Sequence, residues 1–201
     1  MAPGLAEFLA AALVMELTPG PNMTWLTLLA ARKGRNAGLQ AVAGIAAGLS
    51  ALAVLSAAGV AALISAYPAL YEGMRWGGVL FILYLAFEAW RGEKPGKASA
   101  EQGRHFLRGF VVNILNPKAA GVFLVMIPGF ASQIAERPVI LMTVVYLLIA
   151  TLTHALIVVF AGAFTKALSD PRREVLVRRA FALLLLAMAV WFAASTVQSQ
   201  G

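Results

Sequence analysis

The sequence predicts an all-α integral membrane protein with six transmembrane helices arranged as two inverted three-helix repeats, the first and fourth helices broken. Three observations predict it. Of the 201 residues 61% are hydrophobic and only 12% charged, and the mean hydropathy is +0.81, well away from a soluble globular domain. The apolar residues gather into six runs that meet or approach the roughly 20 residues a helix needs to cross a bilayer. Two of those runs are interrupted by proline at similar depth.

The runs are Leu5 to Ala31, Leu39 to Ala66, Gly73 to Trp90, Phe106 to Phe130, Pro138 to Phe164 and Ala180 to Val197. The first lacks a basic leader and exceeds the short core of a cleavable signal peptide, so it is expected to stay as a span. Between runs one and two lie Arg32, Lys33 and Arg35; between three and four, reaching into the first turn of run four, Arg91, Lys94, Lys97, Arg104 and Arg108; between five and six, Lys166, Arg172, Arg173, Arg178 and Arg179. Thirteen of the sixteen cations thus sit in alternate connections. The others are Arg75, Arg137 and, inside run four, Lys118. By the positive-inside rule the basic loops are cytoplasmic and both termini lie outside.

The chain reads as one transporter-sized domain, 1–201, whose halves run over about 1–91 and 104–201 with a cytoplasmic linker at 92–103. The net charge of +7 would suggest nucleic acid in a soluble chain. Placed between apolar runs it sets topology instead, and no nucleic-acid partner is expected. The absence of cysteine excludes disulfides, thiolate metal sites and dithiol electron relays.

The first interruption is Glu16-Leu17-Thr18-Pro19-Gly20-Pro21-Asn22. Proline lacks the amide donor and its ring clashes with the carbonyl one turn back, so two prolines around a glycine must kink or unwind a helix. Backbone groups freed in lipid are tolerated only where protein or a polar cavity satisfies them. The second interruption, Asn113-Ile114-Leu115-Asn116-Pro117-Lys118, lies about eleven residues into its run and the first about thirteen into its own, which puts both near the midplane. Run one enters from outside and run four from the cytoplasm. Paired broken helices in oppositely oriented halves are the sequence pointer to the site of a secondary transporter.

Glu16 is the one carboxylate deep in an apolar run, where a charge costs at least ~2.5 kcal/mol. Two readings stand: a proton-coupling carboxylate, or a static partner of Lys118 locking runs one and four together. Gly20-Pro21-Asn22 can restart a helix with proline first, leaving free N–H groups and the positive dipole end at the midplane, which suits a carboxylate. Asn116-Pro117 repeats the device with Asn116 as cap, and Lys118 adds a cation that calls for an anion nearby. Asn113 and Asn116 share a face, which serves a substrate contact or an interhelical hydrogen bond. His154, in run five, either relays protons with Glu16 or is hydrogen bonded to a threonine or carbonyl. Gly44 and Gly48 permit close helix packing, within the chain or across a homodimer. Trp76, Trp90 and Trp191 are expected as interface anchors, and Glu88 as a solvated partner of water or Arg91.

Thr18-Pro19-Gly20-Pro21-Asn22, followed by Gly34, Gly38, Gly44 and Gly48, resembles the N-terminal signature of the LysE/RhtB family of amino-acid exporters. Arg75-Trp76-Gly77-Gly78 with Tyr84-Leu85 and Trp90-Arg91 is similar to that family's third span, and Asn113 to Lys118 to its fourth-span signature. The likeness covers nearly the whole chain. It implies a bacterial inner-membrane exporter of amino acids or related small metabolites driven by protons, with the family's TPGP element on Thr18, Pro19, Gly20 and Pro21 and its NPK element on Asn116, Pro117 and Lys118. The two breaks themselves put the expected substrate site on Thr18, Pro19, Gly20, Pro21, Asn22, Asn113, Asn116, Pro117 and Lys118. Some members carry an aspartate near the position of His154, a departure that puts their proton route in doubt here.

The leading expectation is therefore an exporter binding a zwitterionic amino acid between the broken helices, with Glu16 and His154 carrying protons and membrane lipid as surroundings. Export of a small cation or other metabolite is the alternative within transport, with few intramembrane ligands to support a metal. An enzyme would need a nucleophile with its base, or a metal motif, and neither His-Glu-x-x-His nor Gly-x-Ser-x-Gly occurs. No cofactor is expected. A purely structural subunit leaves the two breaks without a purpose.

Overall fold

The computed structural model describes residues 4–18, 20–59, 67–91, 98–132, 134, 138–163 and 170–198. Pro19, the cations Lys94, Lys97, Arg137 and Lys166, and the ends of runs two and five at Ala66 and Phe164 lie outside the described residues. Every described element is helical: α1 (Leu5–Leu17), α2 (Pro21–Lys33), α3 (Arg35–Ala57), α4 (Pro68–Arg91), α5 (Ala98–Ile114), α6 (Pro117–Gly121), a π-helical turn (Val122–Met126), α7 (Ile127–Ser132), α8 (Val139–Gly162) and α9 (Pro171–Gln198). Among them α3 and α8 are each long and apolar enough to cross a membrane. The pair 103–114 and 118–132, bent by 55°, is a third if read as one span.

Local chemistry accounts for the two breaks. Thr18 precedes a proline, which disfavours the helical region for it, and it is extended at φ −68°, ψ 120°. Its hydroxyl and its amide both donate to the Val14 carbonyl, at 2.7 and 3.0 Å, and close α1. Gly20 is also extended, and α2 restarts with Pro21 in the first turn. At the second break Asn116 is extended and its side chain accepts from the Lys118 amide at 3.0 Å, capping α6. The π-helical turn follows because Pro128 has no amide to give the carbonyl of Leu124, one turn back inside that turn; the Ile127 amide reaches the Val122 carbonyl instead.

Several helices begin before the apolar runs they carry, α3 at Arg35 and α9 at Pro171 among them. Helix α5 begins at Ala98, so the second half of the expected 92–103 linker is helical and continues into the fourth run. Helix α4 begins at Pro68, five residues before the third run, as a proline in the first turn permits. Gly34 joins α2 to α3 at φ 85°, ψ 176°, a conformation essentially reserved for glycine.

The most extensive packing is between α3 and α5, followed by α4 with α9; α2 and α3 both lie on α8, and α1 also reaches α8. Glycine sets the first of these contacts. A Cβ added at Gly44 would collide with the Phe106 carbonyl, one at Gly48 would press on Phe110 and Asn113, and one at Gly109 would collide with the Ala41 carbonyl. Gly44 and Gly48 therefore serve packing inside the chain. The core runs through Phe8, Leu26, Ile45, Leu49, Val122, Ile127, Met142 and Tyr146, with Phe8 edge-on to Phe130 at 5.7 Å and Phe123 edge-on to Tyr146 at 5.6 Å. Large apolar side chains such as Leu80, Val125, Ile140, Leu152, Phe160 and Trp191 point outward, the surface expected of a chain solvated by lipid.

Candidate functional site

The two breaks and the inner face of α8 meet at one small cavity. Glu16, Gly20, Asn22, Met23, Leu49, Asn113, Asn116, Lys118, Ala119, Tyr146 and His154 line it, and its volume of about 10 Å³ is room for a single water. Ten residues were picked out of the sequence for this purpose besides the undescribed Pro19. Of these, Glu16, Gly20, Asn22, Asn113, Asn116, Lys118 and His154 line the cavity, and the Thr18 carbonyl joins it through Lys118. Pro21 and Pro117 contribute as the first residues of the restarted helices.

Glu16 is 4% exposed. Its Oε1 accepts from the Tyr146 hydroxyl at 2.5 Å and its Oε2 lies 3.9 Å from His154 Nε2. Of the two readings of Glu16, the static partnership with Lys118 takes no direct ion pair among the described residues: Lys118 Nζ donates to the Thr18 carbonyl at 3.0 Å. The reason is geometric. Once α1 ends, the Thr18 carbonyl has no helical donor and faces the first turn of α6, where Lys118 sits. His154 faces Glu16 across the cavity, and the Ala150 carbonyl, one turn back on the same face of α8, is its backbone neighbour.

Tyr146 escaped the sequence reading, although a signal for it existed. The buried face of α8 is Met142, Tyr146, Ala150, His154 and Val158, a spacing of four that puts Tyr146 two turns from His154 on the same stripe. Asn22 Nδ2 donates to Asn113 Oδ1 at 2.8 Å, tying α2 to α5. Among the described residues no group of three or more His, Asp or Glu side chains converges as a metal site would require.

Below this layer, at the arginine-rich end, Arg32 binds Glu174 at 2.7 Å and Arg108 binds Glu88 at 2.6 Å, each pair joining one half of the chain to the other. Glu88 therefore pairs with Arg108, not with Arg91, whose guanidinium lies over the Phe87 ring at 4.9 Å. Arg178 donates to the Ala89 carbonyl at 2.9 Å and to the Trp90 carbonyl, capping the end of α4.

A family model described as LysE type translocator matches residues 13–196. The chain belongs to that family. It is a family of transporters, not of enzymes. This chain is 32% identical over 130 residues to an uncharacterized membrane protein of Pseudomonas aeruginosa, covering 57% of this chain and 60% of that one. It is 31% identical over 118 residues to proteins named leucine efflux protein in Salmonella choleraesuis and Salmonella typhimurium, covering 56% of each chain. The chain thus spans little more than half the length of the relatives it matches. No solved structure gives a significant match.

Proposed function

We propose that the translocator is a secondary exporter of amino acids or related small metabolites in the bacterial inner membrane, coupled to protons, with alternating access around the cavity between the two broken helices. The observation that carries this reading is the convergence of both breaks on one buried polar cavity. Glu16 comes from one half of the chain, and Asn113, Lys118, Tyr146 and His154 come from the other. Family membership and the leucine efflux relatives support amino-acid export in general terms.

Six spans in two inverted repeats fit the packing. If α1 with α2 is span one and α5 to α7 span four, a two-fold relation maps the α3–α5 contact onto the α8 contact with α1 and α2. It maps α4–α9 and α3–α8 onto themselves. All four contacts are present. The two ion pairs that join the halves at the end assigned to the cytoplasm fit a state closed on that side, with both termini outside.

In this reading the substrate carboxylate lies near Lys118 and the open N-terminus of α2. The proton enters through Glu16, with Tyr146 and His154 holding that carboxylate when the substrate site is vacated. One charge moving down 100 mV yields about 2.3 kcal/mol, roughly a fiftyfold gradient, so one proton per cycle sustains useful export. For this chain, the relatives named leucine efflux protein favour substrates with aliphatic side chains. Proteoliposomes carrying the wild type should move at least one aliphatic amino acid when a pH gradient is imposed, and Glu16→Gln should uncouple transport from that gradient. Unchanged gradient-driven transport by Glu16→Gln would remove the proton role.

A further inference from the structure

The asparagine bridge between the two halves engages only two of its four side-chain polar atoms. Each side chain carries one carbonyl oxygen and one NH₂ group. The bond from Asn22 Nδ2 to Asn113 Oδ1, 2.8 Å long, leaves Asn22 Oδ1 and Asn113 Nδ2 with no protein partner, although the residues are only 4% and 1% exposed. Buried polar atoms are otherwise almost always paired. Reversing both amides exchanges the two roles but leaves the same remainder, one free acceptor and one free donor. Both residues line the polar cavity. Gly48 fixes where the free donor stands, since a Cβ there would lie 3.0 Å from Asn113 Cβ and 3.3 Å from its Nδ2.

A bond that merely joined two helices would need one contact and would be indifferent to the other edge of the pair. A free amino acid offers the complement of that edge: an ammonium, which only donates, and a carboxylate, which only accepts. A simple amine or a simple carboxylic acid would satisfy one atom and leave the other unpaired, a penalty that discriminates strongly in buried sites. We infer that the Asn22–Asn113 pair reads the α-amino-acid group, its free acceptor taking the substrate's ammonium and its free donor the carboxylate beside Lys118. The inference rests on the exporter reading above and gives it a recognition element. Asn22 belongs to the first half and Asn113 to the second, so a substrate held by both joins the halves. Binding is thereby coupled to their closing.

The test uses purified wild-type protein and three probes of one shape: L-leucine, isoamylamine, which lacks the carboxylate, and isocaproate, which lacks the ammonium. Should leucine not be carried, the remaining proteinogenic amino acids and their amine and acid analogues take its place. Thermal stabilisation in detergent and competition against labelled amino acid in proteoliposomes should favour the complete amino acid at least tenfold over either analogue. Asn113→Asp, which replaces the free donor by an acceptor of the same shape, should lose at least tenfold in affinity for the amino acid and come to prefer the amine. Equal competition by either analogue in the wild type overturns the inference, as does Asn113→Asp with the wild-type ranking. If that variant does not fold, the wild-type ranking decides alone. A wild type that binds and moves no amino acid contradicts the exporter reading itself, whereas one that moves an amino acid and its amine alike contradicts only the role given to the asparagines.

Discussion

The two broken helices look alike in sequence and differ in chemistry. At the first, Gly20 supplies no side chain to α2, so the restarted helix presents its first amides and its positive dipole end uncapped. At the second, Asn116 caps α6 from within. The acid belongs to the first break and is held by Tyr146 and His154 on α8, while the cation belongs to the second and reaches back to the first break's Thr18 carbonyl. The breaks are therefore complementary, one open to an anion and one closed on itself. Two breaks that were only structural would have no reason to diverge in this way.

Removing the acid should break the comparison most severely. Glu16→Gln is expected to lower pH-gradient-driven export by a hundredfold or more while leaving substrate exchange across the membrane measurable; parallel flux assays under gradient and exchange conditions separate the two. Next in size, Lys118→Met should raise the half-saturating substrate concentration at least tenfold, because it removes the lysine ammonium from the cavity wall. Tyr146→Phe leaves the Glu16 carboxylate without its 2.5 Å donor. A buried acceptor left unpaired costs about 1–3 kcal/mol, more when charged, so gradient-driven export should fall about five- to hundredfold with the fold retained. Export at the wild-type rate would show that Tyr146 is a bystander.

Smaller effects sharpen the contrast in capping. Asn116→Ala should cost about 1 kcal/mol of stability through loss of the cap on α6, read as a lowered unfolding temperature. Gly20→Ser should do the reverse at the other break. It supplies a cap to α2 at an extended position and so stabilises the protein slightly, while satisfying amides that a substrate carboxylate would use. Tighter folding with weaker substrate binding is the expected result, and a gain in both would show that the open end of α2 takes no part in binding.

How much of this was legible in the sequence follows from the kind of information each feature carries. The breaks were legible because proline's missing amide and the glycine beside it act on the backbone wherever they occur. The Gly44–Gly48 spacing announced a close contact, and the structure supplies the partner, α5 with Asn113 on it. Partners across helices were legible only for Glu16 and His154, which the structure sets 3.9 Å apart. Glu16 had Lys118 as its nearest candidate by depth alone, and only the rotation of α8 shows that Tyr146 is closer. Glu88 had Arg91 one turn away, and the packing of α4 on α5 gives it Arg108 instead. Depth can be counted along a chain, whereas the direction in which a helix faces is settled by its neighbours.

The central claim is that the two breaks form one site, and the absence of cysteine from the chain makes it directly testable. Met23→Cys places a thiol beside the first break and Ala119→Cys one beside the second, both on the wall of the cavity. Labelling each variant in proteoliposomes with a small thiol reagent, over a range of transported amino acid, should show protection at both positions with the same half-protecting concentration. Protection at one break and not the other, or at neither, would contradict the account.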